Sequence, residues 1–174
     1  MSLEFTNRTV VVTGAAHGFG RAISVAFAAR GAAVWACDVL EAELAETRGL
    51  CGKACTTAVV DVRDKAAVNA FVAAAGLVHI LVNNAGGVLG QVGRPLEQVT
   101  PSDWQAIYDV NVTGAFYFSQ AVAPGMKAAR FGRIINISSG AGLGISLTGI
   151  QAYASAKAAQ IGRASCRERV LTGV

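Results

Sequence analysis

The chain has 174 residues, 53% of them hydrophobic and 15% charged, with 20 Gly and 3 Pro, a composition too apolar for a disordered polymer and a length suited to one domain. A domain of this size buries roughly 70% of its unfolded surface, enough to hold a core without disulfides or a structural metal. The formal charge is +4, but residues 161–174 hold three Arg against one Glu, which leaves 12 bases to 10 acids before them and gives no reason to invoke a nucleic-acid partner.

The most apolar stretch, Val68 to Val82, is broken by Asn69, Gly76 and His79, so no run approaches the roughly 20 residues that cross a bilayer. The N-terminus carries no basic region leading into an apolar segment, and the sequence predicts a cytoplasmic protein with no membrane partner. Cys37, Cys51, Cys55 and Cys166 lack zinc-finger or CxxC spacing and are read as reduced thiols. Cys51 and Cys55 lie four apart with no His or second Cys pair nearby, so no metal site is expected.

Short β-branched runs alternate with Ala-rich helical patterns along the chain, which implies a parallel sheet covered on both faces. Thr9–Thr13 is the first predicted strand. Gly20–Arg30 is a helix with Ile23, Ala26 and Phe27 on one face and Gly31 as its stop. A strand over Ala33–Cys37, a short acidic helix from Glu41 and a strand over Thr57–Val62 follow. A helix from Asp64 then turns Val68, Phe71, Val72 and Ala75 inward, ahead of a strand over His79–Val82. Thr100, Pro101 and Asp103 read as a helix start: a capping hydroxyl, a proline at the first helical position and a carboxylate three residues after the cap. The long helix that follows leads to a strand over Gly132–Ser138 and a further helix opening near Gln151. The fold class is α/β, a Rossmann-like doubly wound parallel sheet; such a fold normally completes six strands, and the chain is expected to stop short, after the helix that carries Tyr153 and Lys157.

Chemistry concentrates at three places. The first strand feeds Thr13-Gly14-Ala15-Ala16-His17-Gly18-Phe19-Gly20, a glycine-rich loop that opens a helix. Gly14 permits the tight turn, Gly18 lets backbone approach a pyrophosphate, Gly20 allows close helix packing, and the helix start offers N–H groups to an anion. Asp38 follows the second strand, where a carboxylate can accept the hydroxyls of an adenosine ribose and would repel a 2′-phosphate; this favours NAD over NADP, as does His17 in place of a Lys or Arg. Tyr153 and Lys157 lie four apart on one helical face, and a cation at that spacing favours the phenolate that a general acid/base must reach.

TGAAHGFG, the NNAG of Asn83 to Gly86, Asn111, the serine pair of NISS and the YASAK of Tyr153 to Lys157 occur together and in order. The chain therefore resembles a compact, single-domain short-chain dehydrogenase/reductase over residues 5–160. That resemblance implies that Tyr153 is the catalytic acid/base, that Lys157 assists it and holds the nicotinamide ribose, and that Ser139, rather than its neighbour Ser138, binds the substrate oxygen. It implies that Asn111, at a kink in the long helix, keeps a water that relays protons to Lys157. By the same resemblance the cofactor is contacted by Gly14, His17, Gly18, Phe19, Gly20, Asp38, Asp61, Val62, Asn83, Ala85 and Gly86 together with Tyr153 and Lys157, and no metal is needed. His79 replaces an acid common in the family and is read as structural. The implied activity is hydride transfer between NAD(H) and a small secondary alcohol or ketone in a homo-oligomer, dimer or tetramer. A 3-oxoacyl-carrier-protein reductase using NADPH and a non-catalytic dinucleotide-binding module are the alternatives.

After Lys157 the family continues into an apolar helix, two strands and a substrate lid. Here Ile161 to Val170 instead reads as a widely used sequencing adapter translated in frame. The sequence thus predicts a dinucleotide-binding domain over 1–160, incomplete, and a non-native tail over 161–174.

Overall fold

The computed structural model describes residues 3–144 and 148–165. Five strands, β1 (Thr9–Thr13), β2 (Ala33–Asp38), β3 (Cys55–Val59), β4 (Ile80–Asn83) and β5 (Arg133–Asn136), form one sheet in the order β3-β2-β1-β4-β5. All pairings are parallel, with Val12 opposite Ala36 on one side and Val82 on the other. Strand order reverses at β1, so the crevice beyond the carboxyl ends of β1 and β4 is where a ligand finds room in such a sheet.

The period of two along β1 divides the core. Val11 points to the face where Phe71, Phe118, Val122 and Met126 pack, and Val10 and Val12 to the face holding Ala32, Val34, Leu44 and Ile80. Each large side chain buried fully there contributes about 1.5–3 kcal/mol. Helices α1 (Gly18–Ala28) and α2 (Glu41–Cys51) cover the second face, and α3 (Lys65–Ala75) and α5 (Gly114–Ala128) the first. α4 (Pro101–Tyr108) and α6 (Gln151–Ser165) meet through a smaller cluster of Ile107, Ala152 and Ala156. Among the described residues no helix is long and apolar enough to cross a membrane, and no cluster of metal-ligating side chains occurs.

Several boundaries differ from the sequence reading for physical reasons. α1 begins at Gly18, two residues early, because His17 is extended and serves as its N-cap. The third strand is Cys55–Val59, not Thr57–Val62. Val60 N–H still donates to the Asp38 carbonyl at 2.9 Å, but the ladder stops there; Val60 and Val62 are buried, and Asp61 between them makes a turn by accepting the Arg63 N–H at 2.9 Å. His79 precedes β4. Its Nδ1 accepts the Thr9 N–H at 3.0 Å, which requires a neutral ring, and burial followed by the nearby Arg8 charge lowers its pKa accordingly. β5 is Arg133–Asn136, shorter than expected at both ends. Thr100 caps α4 by accepting the Asp103 N–H at 3.1 Å. The Asp103 carboxylate pairs with Arg94 at 3.0 Å, so only half of the expected capping box forms.

Helix α4 continues into α5 through a π-helical turn over Asp109–Thr113. The kink expected at Asn111 is this wide turn. Of the expected tail, residues 166–174 lie outside the described residues, and α6 itself runs to Ser165.

Candidate active site

The loop after β1 is held from behind by its own backbone and by groups distant in sequence. Ala15 N–H donates to the Cys37 carbonyl at 3.1 Å and Ala16 N–H to Asp38 Oδ2 at 2.9 Å. The Ala16 carbonyl accepts from the Arg21 guanidinium, which also reaches Thr47, the Glu43 carbonyl and the Glu46 carboxylate. Thr47 Oγ1, fully buried, donates to the Ala15 carbonyl at 2.8 Å. On the other side, Asn84 Nδ2 donates to the carbonyls of Thr13 and Gly14, while Thr13 Oγ1 accepts from the N–H groups of Asn84 and Ala85. The sequence reading does not single out Arg21, Thr47 and Asn84, because the contacts that give them a role reach segments 22 to 71 residues away and no local pattern marks them.

What this scaffold leaves open suits an anion. The His17 side chain makes no cap bond to α1, and the first N–H groups of a helix have no partner within it. Gly18 stands at φ +56°, and a Cβ there would meet nothing within 4 Å. The loop therefore presents unpaired donors, the dipole end of α1 and open space together. A pyrophosphate fits that donor set.

Asp38 closes one end of the site. Besides Ala16, its carboxylate accepts the Val39 N–H at 2.7 Å and the Leu40 N–H at 3.3 Å. Beyond it, Asp61 is locked to Arg63 at 2.6–3.0 Å, and that guanidinium holds its carboxyl below the usual range.

The other end is built by the π-turn, the segment after β5 and α6. Asn111 is fully buried; its Nδ2 donates to the carbonyls of Gly87 and Ile107, both at 2.9 Å, and its Oδ1 accepts the Gly87 N–H at 3.1 Å. A Cβ on Gly86 would lie 2.5 Å from Asn111 Oδ1 and 3.2 Å from Lys157 Nζ, so both groups converge on that glycine. Ser138 and Ser139 divide their work. Ser138 Oγ donates to the Lys157 carbonyl at 3.0 Å, whereas Ser139 Oγ accepts from Ala141 N–H at 3.2 Å and keeps its own proton to give. Lys157 Nζ donates to the Ile137 carbonyl at 2.9 Å and stands 5.5 Å from the centre of the Tyr153 ring.

Burial pushes the Lys157 amine from its ordinary 10.5 down to about 8. The unfolded chain therefore holds more protons than the folded one between those values, and folded stability rises with pH across that window. At 1.36 kcal/mol per unit, parent and Lys157→Met are expected to diverge by about 2 kcal/mol between pH 8 and 10, the parent gaining. Urea midpoints of both proteins across that range measure it, and parallel curves would contradict it.

One cleft of about 690 Å³ joins the two ends, within the ~300–1,000 Å³ usual for ligand sites. Of the residues predicted for the site, it is lined by Gly14, His17, Gly18, Phe19, Asp38, Asp61, Val62, Ala85, Gly86, Ser139, Tyr153 and Lys157. Asn84, Arg63 and Leu89 join them without having been foreseen. Gly20 sits behind the loop against Gly14. Asn83 is 1% exposed and turns into the sheet, donating to Asn136 Oδ1 at 2.9 Å and Ser119 Oγ at 3.3 Å. Asn111 supports the cleft from the interior.

Comparison with known proteins places this geometry. A family model for short chain dehydrogenases matches residues 8–170. The oxidoreductase UcpA of Salmonella typhimurium is 37% identical over 165 residues, covering 91% of this chain and 62% of UcpA. The NADP-dependent 3-hydroxy acid dehydrogenase YdfG of Escherichia coli is 38% identical over 137 residues, 76% of this chain and 54% of that protein. The crystal structure of a short chain dehydrogenase/reductase from Burkholderia phymatum in complex with NAD superposes with a TM-score of 0.86 at 32% identity, covering 94% of this chain and 60% of that one. The chain thus spans less than two thirds of the length of each of these relatives.

Proposed function

The chain belongs to the short-chain dehydrogenase family, and within it we propose an NAD-linked oxidoreductase acting on a small secondary alcohol or ketone. The observation that carries this reading is the single cleft running from the α1 start and Asp38 to Ser139, Tyr153 and Lys157. NAD, when bound, supplies the hydride acceptor or donor. In this reading the N–H groups at Gly18, Phe19 and Gly20 hold the pyrophosphate, Asp38 accepts from the adenosine ribose, and Asp61 and Val62 flank the adenine. Ala85 and Gly86 form the floor, and Lys157 holds the second ribose. Tyr153 exchanges the proton with the substrate oxygen while Ser139 donates to it, so charge developing there meets two fixed donors. Lys157 puts a positive charge beside the Tyr153 ring as the phenol gives up its proton, and Asn111 keeps the Gly86–Gly87 backbone and the relay water in place.

NAD is preferred to NADP because the described cations near the adenosine end are spent: Arg63 on Asp61, and Arg21 on Ala16, Glu43 and Glu46. A 2′-phosphate would face the Asp38 carboxylate without a counter-ion. Titrating the 174-residue chain with NADH and NADPH tests this. NADH is expected to bind at least about tenfold more tightly, and Asp38→Ala to erase most of that preference, since a hydrogen bond to a charged group is worth about 1.5–3 kcal/mol. A preference for NADPH would shift the reading toward an NADPH-dependent ketoreductase, the class suggested by the similarity to YdfG. Binding without turnover would make the chain a dinucleotide-binding module. We also propose a dimer or tetramer built on the long helix, where Trp104 and Phe116 stand exposed. Cofactor binding falls to residues 1–160, with residues 161–174, the first five of which continue α6, proposed as a non-native tail.

A further inference from the structure

Helix α6 carries the two residues on which proton exchange depends, and polar ties at its start, its middle and past Lys157 join it to other described residues. Near its start, Gln151 Nε2 donates to the Arg94 carbonyl at 3.0 Å. At its middle, Lys157 is held by Ile137 and Ser138. Past Lys157, Gln160 Nε2 donates to the main-chain carbonyl of Asn111 at 2.6 Å. Gln160 is 1% exposed, and its Oε1 has no partner among the described residues.

Burying an amide with one end unsatisfied costs free energy, and a leucine would fill the same space without that cost. The amide is nonetheless aimed at a specific acceptor. The Asn111 carbonyl belongs to the π-turn, where the helical ladder is widened, and Gln160 meets it from a position three residues after Lys157 and seven after Tyr153, on the same side of α6. The Asn111 side chain meanwhile holds Gly87, beside the Gly86 site on which Lys157 Nζ also converges. Gln160 thus closes a loop of contacts: α6 to the π-turn, the π-turn to Gly86–Gly87, and that backbone to the ammonium.

We infer that Gln160 is a positioning residue for Lys157: its amide ties the second half of α6 to Asn111 and so sets the depth at which the Lys157 ammonium is buried. The inference rests on the reading of Lys157 as the partner of Tyr153. Among the described residues, the groups facing the ammonium are the Ile137 carbonyl, the Ser138 segment, Asn111 and Gly86, all uncharged, and Tyr153, the one titratable side chain in contact. Burial is the sole cause of its lowered pKa, so a loosened α6 that admits water should let it rise.

The test needs no cofactor and no turnover. The chain has four lysines, so trace acetylation with acetic anhydride across pH, read by mass spectrometry, follows Lys157 with Lys53, Lys65 and Lys127 as internal standards. In the parent, Lys157 should lose its proton near pH 8. In Gln160→Leu the midpoint is expected to move up by about one unit, with the other three lysines unmoved. Gln160→Asn, one methylene too short to reach Asn111, should do the same, and it serves if the leucine variant does not fold as judged by circular dichroism. A Lys157 midpoint unchanged in a folded variant would overturn the inference, since a residue that merely fills space would leave it there. Failure of the functional reading would show instead as absence of NADH binding to the parent, which leaves this titration intact.

Discussion

Tyr153→Phe is expected to lower turnover by roughly 10²- to 10⁴-fold, the range contributed by one positioned general acid/base, with NADH affinity essentially unchanged. The ring stays, and with it the packing against the small cluster of Ile107, Ala152 and Ala156 and the contact with the Lys157 ammonium; only the hydroxyl that exchanges the proton is removed. Ser139 would still donate to the substrate oxygen, which accounts for residual rate. Steady-state rates with a panel of secondary alcohols and ketones, paired with fluorescence titration of NADH, separate the two effects. A variant within about tenfold of the parent would remove Tyr153 from the acid/base role.

The second large effect falls on folding. Gly20→Ala is expected to destabilise the chain by about 3 kcal/mol or more and to abolish NADH binding, because backbone must shift to make room. A Cβ at Gly20 runs into the Gly14 carbonyl, lying 2.7 Å from its carbon and 2.7 Å from Asn84 Nδ2, the amide that holds Thr13 and Gly14. Gly18→Ala offers the contrast: its Cβ meets nothing, so the cost is the left-handed backbone, about 1–2 kcal/mol, plus whatever the methyl denies a bound diphosphate. Urea midpoints of the two variants should therefore differ clearly. Equal midpoints would mean that α1 slides freely on the loop.

The contrast shows why some of this molecule was legible in its sequence. Gly14, Gly18 and Gly20 are read from spacing because the turn they make is local, and Tyr153 and Lys157 because a helix fixes what lies four residues away. The sequence reading puts the third strand at Thr57–Val62 because every residue from Ala58 to Val62 except Asp61 is apolar, and apolarity reports burial rather than pairing; Val60 and Val62 are buried beside the cleft, past the strand. Asp103 was half misread for a similar reason: the capping pattern is local, whereas its ion pair with Arg94 depends on where the preceding loop passes. Asn83 and Asn84 stand side by side in one motif, yet their amides go to the sheet and to the phosphate loop respectively. Adjacent residues in an extended segment face opposite ways, but which of the two serves the loop depends on strand register. The Arg21 and Thr47 clamp and the Gln160 tie join segments 25 to 49 residues apart, and no composition or periodicity encodes those meetings.

The wide turn at Asp109–Thr113 also acts as a gear change. Each residue of an ordinary helix advances about 100° around the axis, so one extra residue in a single turn rotates everything after it by that amount relative to everything before. Upstream, the inward stripe passes through Ile107 and meets Ala152 and Ala156 of α6; downstream it passes through Phe118, Val122 and Met126 and meets the sheet. With an unbroken ladder one stripe would have to serve both neighbours. The rotation lets a single rod seat its first half against the helix bearing Tyr153 and its second half against the strands, with Asn111 at the point where the phase slips.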